Sequence, residues 1–162
     1  MYIISSQRNL SSTEELDALE QQYEVKLPQA YRQFLQKYGQ GTYCDWFHVE
    51  LPDSERLKEF AEYGLWEHVE DSPITAMQLT ECIVIASTVD GDMLALHPRV
   101  KAGIWLPRHS EQIHTVEWTE SSWEASMKQQ YAHMYGREYD VEQPTYFEPW
   151  NGKQQHEFGM LH

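Results

Sequence analysis

Apolar side chains recur at three- and four-residue steps in two neighbouring segments near the start of the chain, which predicts two helices. The first helix is expected to begin after Ser12, because Ser12 and Glu15 have the spacing of a capping box. Its apolar stripe consists of Leu16, Leu19 and Tyr23. The connection to the second helix is short, so the two helices are expected to pack as an angled hairpin.

The second helix has clear ends and a strongly apolar face. It is entered through Leu27-Pro28 and stops at Gly39, since proline is tolerated in a first helical turn and glycine readily adopts the left-handed conformation that ends many helices. Its inward side chains are Tyr31, Phe34, Leu35 and Tyr38. Burial of such side chains is worth roughly 1.5–3 kcal/mol each, so this helix is predicted to be a centre of the core.

The middle of the chain changes to strand patterns. Residues 42–51 mix aromatic and β-branched side chains with polar ones, which predicts one or two short strands. Residues 82–86 form an uninterrupted apolar run, typical of a strand that is buried on both faces. The sequence Val-Asp-Gly-Asp at 89–92 favours a tight turn, and residues 93–96 return as the second strand of a β-hairpin.

Later in the chain, strands are predicted at 104–106 and at 114–118, the second as the last strand of the sheet. A long helix is expected to begin after Ser121 or Ser122 and to stop at Gly136. One face of this helix carries Trp123, Met127, Tyr131 and Met134.

Two shorter patterns predict minor elements. Ile3 and Ile4 can form a short edge strand or an N-terminal clasp. A short helix opened by Pro73 is predicted to direct Ala76, Met77 and Leu79 inward.

Together these elements predict an α+β fold in which helices pack against a mainly antiparallel sheet. The length of 162 residues suits one domain, residues 1–162, with its core at about 12–136. The C-terminal extension, 137–162, has no sustained period. It is expected to pack on the domain through Tyr146, Phe147, Pro149 and Trp150, with the remainder partly solvated.

The formal net charge of −14 bears on possible partners. Such a charge repels phosphate backbones and attracts cationic surfaces, so direct nucleic-acid binding is disfavoured and a basic protein partner is favoured. Acidity that only maintains solubility is the alternative, and charge alone does not decide between them. We find no signal-peptide pattern and no apolar run of membrane-spanning length, so the protein is expected to be cytoplasmic, as a monomer or weak homodimer.

Patterns for catalysis or metal binding are weak. The eight histidines include no His-Glu-x-x-His pair and no zinc-finger spacing with Cys44 or Cys82. A nucleophile elbow and a phosphate-binding loop are also missing from the sequence. No catalytic residue, cofactor or metal site is therefore predicted, and a metal cluster assembled only by the fold remains the alternative.

The feature that favours a binding function is an acidic run from Glu50 to Asp71, in which Tyr63 and Trp66 lie among the carboxylates. Aromatic side chains anchor interfaces, and surrounding charges steer a cationic partner, although a solvated helix face is the ordinary alternative. Asp90 and Asp92 are first of all turn residues, and they could also touch a partner from an exposed tip. The predicted partner-binding residues are Glu55, Glu59, Glu62, Tyr63, Trp66, Glu67, Glu70, Asp71, Asp90 and Asp92.

Three features resemble the SUKH superfamily, which comprises bacterial immunity proteins that neutralise toxins and fungal regulators of cell-wall synthesis. The first is the helix entered through Leu27-Pro28, with an aromatic residue at Tyr31 and Phe34-Leu35 following. The second is the pair Gly91-Asp92 between two apolar strands, and the third is a helix after the sheet with Trp123 near its start. The resemblance covers about residues 12–136.

This resemblance implies a non-catalytic immunity protein that binds a cognate toxin domain one-to-one. The acidic charge favours a nuclease as the toxin, because an enzyme that cuts nucleic acid needs a basic surface that an acidic inhibitor can cover. The alternative is a regulatory protein-interaction module with a cell-wall or signalling partner. A hydrolase or metal enzyme is the third hypothesis.

Overall fold

The computed structural model describes residues 1–58, 71–108, 112–118, 122–136 and 144–150. The strands within these ranges are β1 (Tyr2–Ile3), β2 (Gly41–Tyr43), β3 (Phe47–Asp53), β4 (Ile83–Thr88), β5 (Met93–His97), β6 (Val100–Leu106), β7 (His114–Val116) and β8 (Tyr146–Pro149). The helices are α1 (Thr13–Tyr23), α2 (Gln29–Lys37), α3 (Ala76–Thr80) and α4 (Trp123–Tyr135).

In the described part of the chain, the strands form one eight-stranded sheet in the spatial order β1-β8-β2-β3-β4-β5-β6-β7. The pair β1 and β8 is parallel, and the other neighbouring strands are antiparallel. The predicted α+β fold with a mainly antiparallel sheet is therefore confirmed.

The helix ends follow the local signals in the sequence. The capping box of α1 is formed, with Ser12 Oγ accepting from the Glu15 N–H at 3.1 Å and Glu15 Oε2 accepting from the Ser12 N–H at 3.0 Å. Pro28 precedes the first residue of α2, and Gly39 follows its end with φ of 79°. Gly136 closes α4 in the same left-handed conformation, with φ of 65°.

On one face of the sheet, α1, α2 and α4 cover a layer of large rings, which we call the aromatic layer. Tyr31 of α2 packs on Trp123 of α4 at a centroid distance of 5.3 Å, and its hydroxyl donates to the backbone carbonyl of Glu50. Phe34 meets Phe147 edge-on at 5.0 Å. The buried residues of this layer include Leu16, Tyr31, Phe34, Leu35, Trp46, Phe47, Ile85, Leu94, Trp105, Trp123 and Phe147.

The opposite face carries a smaller layer, which we call the aliphatic layer. Its buried residues are Leu57, Ile74, Leu79, Cys82, Val84, Met93, Ala95, Ile104, Leu106 and Ile113. The strands in the middle of the sheet alternate between the layers: Leu94 faces the aromatic layer, whereas Met93 and Ala95 face the aliphatic one. The expectation that the strand near residues 82–86 is buried on both faces is confirmed, and α2 shares a core with the Asp-Gly hairpin.

The C-terminal extension contributes a strand that its sequence pattern did not reveal. β8 lies between β1 and β2, with Tyr43 opposite Phe147 and Gly41 opposite Pro149. Phe147 is fully buried in the aromatic layer. The expected packing of this segment on the domain is confirmed, but β7 is not the last strand of the chain.

The prediction for the short helix after Pro73 was wrong in its orientation. Thr75 and Gln78 form a capping box, so α3 begins at Ala76. This start directs Leu79 into the aliphatic layer, as predicted, but leaves Ala76 exposed and Met77 76% exposed, so the prediction was wrong for these two residues.

Candidate protein-binding surface

Two hairpin turns meet at one end of the sheet. In the turn between β2 and β3, Cys44 and Asp45 both adopt left-handed conformations, with φ of 48° and 55°. This conformation costs an L-residue roughly 1–2 kcal/mol, so it persists only where the surroundings hold it. Here the Trp46 N–H donates to the Tyr43 carbonyl at 3.0 Å, and the Cys44 N–H donates to the Tyr146 carbonyl at 2.9 Å.

The turn between β4 and β5 lies directly beside the first turn. The Val89 N–H donates to the Trp46 carbonyl at 3.0 Å, which joins the two turns. Gly91 has φ of 90°, a conformation that residues with a Cβ adopt only with strain, so glycine is favoured at this position, where the Arg108 side chain packs against it. The predicted turn role of the Asp-Gly sequence is confirmed.

The end of α4 completes this region with tyrosines. Trp46 packs edge-on against Tyr131 at 5.1 Å and against Tyr135 at 5.9 Å. The Tyr135 hydroxyl donates to Asp90 at 2.7 Å, and on the other side of the region the Tyr146 hydroxyl donates to Asp45 at 2.6 Å. We call this region the tip surface, and it consists of Cys44, Asp45, Trp46, Val89, Asp90, Tyr131, Tyr135 and Tyr146.

The tip surface combines exposed apolar area with negative charge. The side chain of Val89 is 49% exposed and that of Tyr135 is 41% exposed. Among the described residues, neither Asp45 nor Asp90 forms a salt bridge with a lysine, arginine or histidine. Tyrosine and tryptophan are enriched at interfaces, and their ring faces also suit arginine and lysine.

The phenols of the tip surface are held in their neutral, donating form. Burial and the hydrogen bond to Asp90 raise the pKa of Tyr135 to about 12. The hydrogen bond to Asp45, followed by burial, raises the pKa of Tyr146 to about 12. At neutral pH each phenol is therefore un-ionised and donates its hydrogen bond to the carboxylate beside it.

The expectation that Asp92 is exposed at the turn, where a partner could contact it, is wrong. It is buried at 4% exposure, and its carboxylate accepts from the Trp105 indole N–H at 3.2 Å and from the Arg108 backbone N–H at 2.8 Å. Its acceptor sites are thus used within the domain, where they tie the hairpin turn to the segment after β6. Of the two aspartates predicted at this turn, only Asp90 is exposed.

The acidic segment predicted from the sequence is only partly within the described residues. Glu55 is exposed, and its salt bridge with Lys58, at 2.9 Å, lowers the pKa of its carboxyl group. Glu50, at the start of the acidic run, is buried and paired with Arg56 at 2.8 Å, whereas Asp71 is exposed. The predicted residues outside the described ranges are Glu59, Glu62, Tyr63, Trp66, Glu67 and Glu70.

The other candidate sites give weaker support for a function. A groove of about 380 Å³ beside α1 has apolar walls at Leu10, Leu19 and Leu51, and its one carboxylate, Glu15, is engaged in the capping box. Burial raises the pKa of the Cys82 thiol to about 12, so it stays protonated at neutral pH. The described residues contain no group of three or more His, Cys, Asp or Glu side chains that could hold a metal ion.

The fold and the tip surface define an α+β protein with a candidate surface for binding another protein. The chain belongs to the SUKH superfamily, because the model of the SMI1 / KNR4 family (SUKH-1) matches residues 11–129. Neither a curated protein nor a solved structure matches the chain. Members of this family are generally non-catalytic, and the family fits an immunity or regulatory role based on protein–protein interaction. Within the described residues, no helix is long and apolar enough to cross a membrane.

Sequence reasoning found one member of the tip surface, Asp90, and missed the other seven. The signal that could have found them was the odd turn sequence at Cys44-Asp45, where neither residue is the glycine or asparagine that a two-residue hairpin turn prefers.

Proposed function

We propose that this protein is a non-catalytic immunity protein that binds a cognate toxin domain one-to-one and neutralises it, and that the toxin is a nuclease. Family membership supports the protein-binding role. The observation that carries the choice of surface is the pairing of exposed Val89 and Tyr135 with the carboxylates of Asp45 and Asp90. A nuclease presents a basic surface to its substrate, and a negatively charged, aromatic inhibitor surface complements it.

The tip surface is suited to supply the central anchors of such an interface. The few residues that dominate binding energies are mostly aromatic, arginine or well-packed apolar groups surrounded by polar ones. Tyr135 is an aromatic group of this kind, and its hydroxyl donates to Asp90. The neighbouring Val89 adds exposed apolar area, and its backbone is held by the hydrogen bond to the Trp46 carbonyl. A stable complex buries roughly 1,200–2,000 Å², so the interface would extend beyond the tip surface.

The acidic segment that includes Glu55 and Asp71 is proposed to act at longer range. Charges outside the central contact mainly raise the association rate, and salt screens their effect. With a net charge of −14, the protein attracts a basic partner before the two surfaces touch. Steering by this segment and anchoring by the tip surface are separate contributions that different variants can distinguish.

The experiment is co-expression of the chain with a toxin domain encoded next to its gene. We expect rescue of growth and a one-to-one complex on a sizing column. Tyr135→Ala should raise the dissociation constant by about tenfold or more, since a buried interface aromatic contributes at least about 1–2 kcal/mol. Met77→Ala is the control, because Met77 is a 76% exposed apolar residue on α3, which precedes the start of β4, whereas the tip surface lies beyond the end of that strand.

Charge is tested in the same assay. Asp90→Asn should weaken binding, whereas Glu14→Gln on α1 should leave it nearly unchanged. Reversal of Glu59, Glu62 and Glu67 to lysine should slow association and flatten its dependence on salt. Unchanged binding in Tyr135→Ala and Asp90→Asn would remove the tip surface from the interface, and lack of both rescue and complex would contradict the immunity function.

A regulatory module for a cell-wall or signalling partner is the second candidate, since the matching family fits either role. Gene neighbourhood separates the two. An immunity protein is expected beside the gene of a large secreted toxin, and a regulator is not.

A further inference from the structure

Two histidines from different elements stand side by side at the end of the sheet formed by β7. His114 lies on β7 and His133 lies on α4, with their ring centroids 4.6 Å apart and their planes at 54°. The His114 ring also stacks on Trp105 at 6.2 Å, which limits its rotation. A strand and a helix thus hold two imidazoles in contact over a polar groove of about 140 Å³.

The hydrogen bonds of His114 direct one ring nitrogen into this groove. The backbone of Gln112 accepts a hydrogen bond from the ring, and Nε2 lies 3.4 Å from the side-chain nitrogen of Gln130. Because an amide nitrogen only donates, His114 Nε2 accepts this long contact with its electron pair, which therefore faces α4, where Gln130 and His133 are one turn apart. Metal-binding histidines commonly donate their other ring N–H to a backbone carbonyl in this way.

We propose that His114 and His133 form a binding site for one divalent transition-metal ion, of the Zn²⁺, Ni²⁺ or Cu²⁺ class, that links β7 to α4. Imidazole is a preferred ligand of these ions, with metal–nitrogen distances of about 2.0–2.1 Å for zinc. Two imidazoles that bind one tetrahedral ion have their ring centroids about 5 Å apart. The observed centroid distance of 4.6 Å is close to this value.

The surroundings of the histidine pair fit this role. The His114 ring lies between Trp105 and His133, and both histidines line the polar groove together with Gln130. The contact with Gln130 is long, so the amide can give way to an ion at small cost. The described residues supply no third histidine, cysteine or carboxylate close enough to form a larger cluster, and the ion would keep water in its open positions.

The test is isothermal titration of the full chain with zinc chloride and, separately, nickel chloride at pH 7.5. We expect saturable binding of one ion, weaker than at a four-ligand structural site. His133→Ala should weaken this binding by more than about tenfold, because loss of a ligand exceeds the effect of losing an outer hydrogen-bond partner. His133 is exposed, so this variant should fold normally. His114→Gln is the second variant and should have the same effect.

The matched control is His156→Ala with His162→Ala, which removes two other histidines and should leave the titration unchanged. Thermal unfolding gives a second measure, since an ion that binds only the folded state raises the melting temperature of the wild type but not of His133→Ala. The proposal is overturned if no saturable binding occurs up to about 1 mM metal. It is equally overturned if affinity is unchanged in His133→Ala or lost in the control.

Discussion

The two faces of the sheet are covered by different types of side chain. The aromatic layer packs tyrosine, phenylalanine and tryptophan rings under three long helices, whereas the buried part of the aliphatic layer contains no aromatic residue among the described ones. Large rings bury more area per residue and lock one another through tilted contacts. The aliphatic layer is covered instead by the short α3 and by the segments around Leu57, Ile74 and Ile113. We infer that rigidity is concentrated on the aromatic side.

This difference extends to the two surfaces proposed for partner binding. Trp46 belongs to the aromatic layer and Tyr131 packs against it, so the tip surface is continuous with the layer that we infer to be the more rigid one. Glu55 and Asp71 flank the elements that cover the aliphatic layer. Preorganised anchors lose less entropy on binding, and long-range attraction does not require rigid side chains. The proposed separation of anchoring from steering therefore follows the two layers of the core.

The largest expected effect compares the same substitution on both faces. Leu35→Ala in the aromatic layer should lower the free energy of unfolding by about 4–5 kcal/mol, because rigid rings around fully buried Leu35 cannot close the cavity. Leu79→Ala in the aliphatic layer should cost about 2–3 kcal/mol, because the short α3 can move inward. Urea unfolding of both variants measures the difference. Equal losses would contradict the inferred contrast in rigidity.

The second prediction separates the two aspartates of one turn. Asp92→Ala should lower the free energy of unfolding by about 1–3 kcal/mol, since it leaves the buried Trp105 indole N–H without its acceptor. Asp90→Ala removes an exposed side chain and should change stability by no more than about 0.5 kcal/mol. Urea unfolding checks both values. A larger loss for Asp90→Ala than for Asp92→Ala would show that the turn is held from the tip surface.

The smallest effect concerns tyrosine ionisation at the tip surface. The pKa values of Tyr135 and Tyr146 are raised to about 12, so the stability that these phenols contribute is fully present below about pH 10, the unfolded value, and is lost as pH rises through 12. Absorbance at alkaline pH follows phenolate formation directly. Asp90→Asn should shift the ionisation of one tyrosine toward lower pH, and Tyr135→Phe should remove that step. An identical titration curve in Asp90→Asn would contradict the assigned hydrogen bond.

Elements with local signals could be predicted from the sequence. The Ser12-Glu15 capping box, Pro28 and the closing glycines act within one helical turn, so the helices came out close to their observed ends. The Asp-Gly hairpin was equally local, because Gly91 alone satisfies the positive φ of its turn. These same signals, together with the apolar face of α2, carried the family resemblance that the match over residues 11–129 confirmed.

Features that depend on distant partners were missed. β8 is short and contains Pro149, so it has no sequence pattern that predicts a strand. Its pairing with β2 joins positions more than a hundred residues apart. The tip surface is formed by four separate segments of the chain. In the sequence, its tyrosines are part of a helix pattern or of a tail without a regular pattern. Met77 was placed inward because its apolar character was read without the capping box at Thr75.

The insertion of β8 between β1 and β2 has a consequence for biosynthesis. A nascent chain can assemble α1, α2 and the central hairpin while translation continues, but the seam that Phe147 fills stays open until that residue leaves the ribosome. During this interval β2 exposes an unpaired edge, which is where two unfinished copies could join. A fragment that ends at residue 129, where the family match ends, would lack β8 and keep this edge unpaired. A fragment for expression must therefore extend at least to Trp150.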